Sequence, residues 1–156
     1  MPDIGQLPII LRREVEALMA APLIKAYIEE LGRDKALDKA GQVIMALARE
    51  SGRKLAASAG GKTLAHFQRV FSLFAQEGAL EMETVAASEK SFIINVTRCR
   101  YAEMYREHGL ADFGVLLSCN RDYGLLEGFN PKIRLTRTKT IMEGAELCDF
   151  CFIEED

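Results

Sequence analysis

The spacing of apolar residues changes character near the middle of the chain, and that change restricts the fold more than any other sequence feature. Through residue 77, apolar side chains recur three and four apart, the period of a helix face. Beyond residue 78 come short β-prone runs broken by turns. Ile9, Ile10, Val15, Leu18 and Met19 define a first helical pattern. Pro22 is placed for the first turn of a second, in which Leu23, Tyr27, Ile28 and Leu31 make a stripe ending at Gly32. Residues 34–59 carry a longer pattern with Leu37, Ala40, Val43, Ile44, Leu47, Ala48 and Leu55 on one side; Glu50-Ser51-Gly52 is a candidate kink and Gly60-Gly61 a break. Residues 63–76 resume with Leu64, Phe67, Val70, Phe71 and Phe74 at core spacing.

In the second half, residues 79–87 and 91–97 read as strands around a turn at Ser88-Glu89-Lys90. Residues 98–108 read as a helix capped by Thr97 and stopped by Gly109, and 110–118 as a short helix. Residues 120–130 are punctuated by glycine and look less regular, and two final strands are expected at 132–140 and 147–154. The expected class is α+β: one domain over 1–156, with a helical part (1–77) packed on an antiparallel sheet of about four strands formed mainly by a mixed part (78–156).

A chain of 156 residues can bury roughly two-thirds of its unfolded surface, enough to fold without staples. Its net charge of -3 argues against a nucleic-acid surface, which needs a dense basic face. No apolar run is long enough to cross a bilayer, and the start lacks a signal-peptide pattern. A cytoplasmic location is therefore expected, with thiols rather than disulfides. The glycosylation pattern Asn95-Val96-Thr97 is then accidental. A homo-oligomer is an open expectation.

Two formal motifs lose their force in context. Residues 56–63, Ala-Ala-Ser-Ala-Gly-Gly-Lys-Thr, satisfy a relaxed phosphate-loop pattern, but the segment before them has helical rather than strand periodicity. Cys148-Asp149-Phe150-Cys151 is a CxxC, yet in a strand it places its two thiols on opposite faces, which suits neither zinc nor a redox pair.

The chemically suggestive group is Cys119-Asn120-Arg121-Asp122. On a continuing helical turn, thiol and carboxylate share a side. A thiolate beside Arg121 would be a nucleophile, and Asp122 could move a proton; a buried cysteine beside a capping aspartate is the competing reading. Arg98, Tyr101 and Tyr105 share one predicted helix face that could grip a carboxylate, against the alternative of an ordinary amphipathic helix. His66 is either a group facing a cavity or a half-buried surface histidine. His108 precedes a helix stop, where a cation suits the dipole.

Four ordered blocks carry a resemblance: Asn95-Val96-Thr97-Arg98-Cys99-Arg100-Tyr101-Ala102-Glu103 with Gly109; Cys119-x-x-Asp122; Phe129-Asn130-Pro131; and Arg137-Thr138-x-Thr140-x-x-x-Gly144-x-x-x-Cys148-Asp149-Phe150. Over about residues 91–152 the chain resembles the L-2-amino-thiazoline-4-carboxylic acid hydrolase family. Cys151 departs from it, standing where a basic or other polar residue is expected. The resemblance implies a small α+β protein that opens a cyclic C=N carboxylate by adding water, giving an N-carbamoyl cysteine. On that chemistry the expected catalytic set is Cys119, which attacks or positions water, Asp122 as acid/base, and Cys148 lining the same pocket; Arg98, Tyr101, Arg137, Thr138 and His66 are the expected substrate contacts. The expected partner is a small-molecule carboxylate, with no cofactor. Two alternatives stand beside it: a metal-dependent hydrolase or sensor in which Cys99, Cys119 and Cys148 hold the ion, and a non-catalytic ligand-binding domain of vinyl-reductase type.

Overall fold

The computed structural model describes residues 4–156. Helix α1 (Ile9–Leu31) and helix α2 (Arg33–Ala59) are long, and only Gly32 separates them. Gly32 has φ of 82°, a left-handed-side conformation that a residue without Cβ adopts at little cost. Helix α3 (Leu64–Phe71) follows Gly60-Gly61 and runs into a 3₁₀ segment (Ser72–Gly78). Strands β1 (Leu80–Ala87) and β2 (Ser91–Cys99) form a hairpin, and helix α4 (Arg100–Glu107) leaves β2 directly. A short α5 (Ala111–Gly114) passes into a π-helical turn (Val115–Cys119) and then α6 (Arg121–Phe129). Strands β3 (Ile133–Thr136) and β4 (Cys148–Glu154) complete a wholly antiparallel sheet in the order β1-β2-β4-β3. The fold is α+β, with a helical first half and the sheet in the second.

Alternation along β2 and β4 builds the inner sheet face. Phe92 pairs with Phe152, Ile94 with Phe150 and Val96 with Cys148, and all six are buried. Leu64, Phe67 and Phe71 of α3 and Leu125, Leu126 and Phe129 of α6 cover that face. A second cluster joins α1, α2 and α4 through Ala17, Ala21, Ile24, Ile44 and Tyr105. Ile10, Ala79 and Tyr101 make a third. Among the described residues no helix is long and apolar enough to cross a membrane.

Several local expectations change. Pro22 sits inside α1 rather than at a helix start. Both it and Leu18, whose carbonyl it cannot bond, lie on the exposed face of the helix. Much of the apolar stripe expected on α1 and α2 does not face inward, although Ile10, Ile24 and Ile44 are buried. Leu11, Val15, Met19, Leu23 and Tyr27 are exposed, as are Val43 and Leu47. The inward faces use small residues, Ala17 and Ala21 on α1 and Ala36, Ala48 and Gly52 on α2. The predicted helix at 98–108 starts later. β2 continues through Arg98 and Cys99, which pair with Glu81 and Leu80, so Thr97 is a strand residue and caps nothing. Strand β3 stops at Thr136 because the next residues turn toward acidic partners: Asp149 accepts from the Thr138 and Lys139 N–H groups at 2.9 and 2.8 Å.

The glycines of 120–130 mark close packing, not irregularity. A Cβ on Gly128 would stand 2.0 Å from the Arg49 carbonyl oxygen, and one on Gly52 would stand 2.0 Å from that of Leu125. On Gly124 it would meet the Ala48 Cβ at 2.9 Å. Helices α2 and α6 therefore touch backbone to backbone, and Gly52 kinks nothing because it is needed for contact. The proposed test of this seam uses three glycine-to-alanine variants. G52A and G128A should each destabilise the fold by about 2 kcal/mol or more, since overpacking against rigid backbone outweighs the helix-propensity gain. G41A, whose Cβ would meet only the Leu116 side chain at 3.4 Å, should be neutral or stabilising by up to about 1 kcal/mol. Urea denaturation of the three variants checks the contrast.

Candidate active site

The three apolar clusters do not close completely on one another, and the gap between them is a cavity of about 90 Å³. Phe67, Phe71, Phe150 and Phe152 supply its aromatic wall. Its polar wall carries Cys119, Asp122, Arg137 and Cys148, so four residues singled out from the sequence come together in space. The π-helical turn ends at Cys119 and α6 begins at Arg121, joined by Asn120 in the right-handed helical region. That continuity puts the Cys119 thiol and the Asp122 carboxyl on the same side. Cys148 enters from the first residue of β4 and its thiol accepts the Ile141 N–H at 3.1 Å.

Arg137 organises this wall. Its Nη1 donates to Asp122 Oδ2 at 2.5 Å and its Nη2 to the Cys119 carbonyl at 3.1 Å. The guanidinium lies 4.9 Å from the Phe150 ring centroid and 5.4 Å from that of Tyr123. Its side chain is only 5% exposed, while 35% of the Asp122 side-chain surface is open. Burial pushes the Asp122 carboxyl above the ordinary carboxylate range, opposed by the Arg137 charge.

The thiols sit in the opposite environment from that of an activated nucleophile. Burial, then the neighbouring Asp122, pushes the Cys119 thiol far up. Burial also raises Cys148, and it pushes Cys99, a further cavity residue, up to about 11. The expected help from Arg121 is absent. Its Nε donates to the Leu117 carbonyl at 2.7 Å and its Nη2 to Glu16 at 2.8 Å. Cys99, Cys119 and Cys148 line one cavity, but among the described residues no group of three or more His, Cys, Asp or Glu side chains could hold a metal ion.

Other candidates lie elsewhere or are occupied. Arg98 is exposed, bound by Glu103 at 2.8 Å and Glu81 at 3.2 Å, because it belongs to the end of β2 and not to the face of α4. Tyr101 does line the cavity, yet its hydroxyl donates to the Phe74 carbonyl at 3.0 Å. The Thr138 hydroxyl bonds Asp149 at 2.5 Å, outside the cavity wall. His66 stands at the start of α3, its Nδ1 2.6 Å from the Thr63 hydroxyl and its ring against Gly61. It is the half-buried surface histidine of the alternative reading. His108 meets Glu14 at 2.7 Å. Residues 56–63 follow a helix, so the phosphate-loop reading has no strand to stand on. In β4 Cys148 is buried inward and Cys151 turns to the other face, as the strand period requires. Two polar cavity residues escaped the sequence reading, Arg13 and Ser118. Arg13 lies in a generic helical half, and Ser118 is one of many serines; neither gives a local signal.

Comparison with known proteins follows the same lines. No curated protein matches the chain. Among solved structures, it is similar to the phenol-responsive sensory domain of the transcription activator PoxR, crystallised with phenol. The TM-score is 0.55 at 16% identity, covering 88% of this chain and 73% of that one. It is also similar to a trafficking protein particle complex subunit 3 from Naegleria fowleri covalently bound to palmitic acid. There the TM-score is 0.54 at 9% identity, covering 94% and 96% of the two chains. At these identities the likeness is one of fold. The family model described as L-2-amino-thiazoline-4-carboxylic acid hydrolase matches residues 12–152. With nearly the whole chain inside that match, the protein belongs to the L-2-amino-thiazoline-4-carboxylic acid hydrolase family.

Proposed function

We propose that the protein hydrolyses a small cyclic C=N carboxylate, with Asp122 as the acid/base group. The observation that carries this reading is the Asp122 carboxyl lining a largely apolar cavity while paired with Arg137. The cavity's aromatic wall facing a carboxyl and a guanidinium suits a compact ring that bears polar groups.

In this reading water attacks, not a thiolate, because burial keeps Cys119 protonated. Asp122 accepts a proton from water as the water oxygen bonds to the C=N carbon. The ring carbon–sulfur bond then breaks. The sulfur receives that proton from Asp122, the ring nitrogen takes the second water proton, and the carbon becomes the carbonyl of a carbamoyl group. Arg137 keeps the carboxylate available and oriented, while Cys119 and Cys148 shape the space where water and ring meet. No metal or other cofactor is needed for this balance. A reducing, cytoplasmic setting suits the four free cysteines.

The aromatic wall and neutral thiols also favour a second reading, non-catalytic binding of a small ring, as in a sensory domain responsive to phenol. Assay with 2-amino-thiazoline-4-carboxylate separates the two, since wild-type protein that binds this ring without consuming it is a binding module. If the protein is a hydrolase, D122N should lose about 100-fold or more in kcat, and C119A should lose less than about 10-fold. Full activity in D122N would end the assignment, and inactivity confined to C119A would restore a thiol nucleophile.

The pH profile supplies a separate check. The base must be ionised, so kcat/KM should fall as pH drops through the raised pKa of Asp122. Removing the cation that opposes the upward shift moves that acid limb to higher pH. R137Q should displace it upward, and an unmoved limb would remove Asp122 from the profile.

A further inference from the structure

The charge around the cavity does not balance within the protein. Three guanidinium groups, Arg13, Arg121 and Arg137, line it. They are answered by two carboxylates, Asp122 on Arg137 and Glu16 on both Arg13 and Arg121. Arg137 and Arg121 are committed, each spending two nitrogens on a carboxylate and a backbone carbonyl. Arg13 is held differently. Only its Nη1 is engaged, with Glu16 at 2.7 and 2.9 Å, and the Glu16 side chain is 45% exposed. Its remaining N–H donors have no protein acceptor among the described residues. Beside the same cavity, the Ser118 hydroxyl has no hydrogen-bond partner in the described chain.

We infer that Arg13, assisted by Ser118, forms the subsite that receives the ligand's carboxylate. A guanidinium with open donors matches a carboxylate in charge and fork geometry, and an enclosed wall strengthens the contact by excluding water. The ring then lies against the aromatic wall, and Arg137 stays with Asp122. The ligand class is a small, flat, ring-bearing acid rather than a neutral ring. The inference takes its ligand class from the hydrolase reading, but it concerns binding and is judged apart from turnover.

The test is calorimetric titration of the whole chain with thiazole-4-carboxylate and thiazole-4-carboxamide, two rings that differ in charge and lack the hydrolysable amidine. The wild type should prefer the carboxylate by about 10-fold or more, as a charge-assisted pair in an enclosed site requires. R13Q should erase that preference while leaving carboxamide affinity in place, and R13K should retain part of it. E16Q, which releases both arginines, should increase the preference; this variant keeps the test alive if R13Q fails to fold. Equal affinity for the two probes, binding of neither, or an intact preference in R13Q would overturn the inference. An intact preference in wild-type protein that hydrolyses nothing would sustain the subsite and discard the hydrolase. Turnover without charge preference would do the reverse.

Discussion

The ion pair between Asp122 and Arg137 fixes most of what matters about this molecule. It joins α6 to the segment leaving β3, and through the Cys119 carbonyl it also ties down the π-helical turn. The Arg137 charge is the one held out of water, and removing Asp122 would leave that buried guanidinium without its partner. The pair persists because Arg137 is also sandwiched between the Tyr123 and Phe150 rings. Its position depends in turn on the glycine seam. α6 can hold Asp122 at the cavity only while Gly52, Gly124 and Gly128 let it press against α2.

The four cysteines divide by environment. Three line the cavity, and burial raises all three thiols, which makes them neutral walls rather than resting nucleophiles. Cys151 lies on the other face of β4, across from Ile93 and Thr136. The carboxyl group with one cation is the unusual chemical object, and it lies where water, ring and aromatic wall can meet.

The sequence made the fold class legible because hydropathy period is a local property. Alternation placed Cys148, Phe150 and Phe152 on one face of β4, and helical spacing placed α3 against the sheet. Local pattern failed where the deciding contact is distant. Gly124 and Gly128 look like breakers until α2 is known to lie against them. The apolar stripe of Val15, Met19 and Leu23 looks like a core face, yet Ala17 and Ala21 make the close contacts instead. The site shows the same division. Cys119 and Asp122 are neighbours in sequence and could be paired from it. Arg13 stands more than a hundred residues from either, and only the tertiary fold joins them. Arg98 and Thr138 carry suitable side chains, but nearer carboxylates occupy them.

Everything proposed for the cavity rests on Asp122 being a partly buried carboxyl that ionises reluctantly despite its arginine. A carbon-13 NMR titration of the Asp122 side-chain carboxyl, assigned by comparison with D122N, measures this directly. The account predicts a midpoint above the ordinary aspartate value of about 3.9. A midpoint at or below that value would show the Arg137 charge outweighing burial, and would contradict the proposed role of Asp122 in carrying the proton.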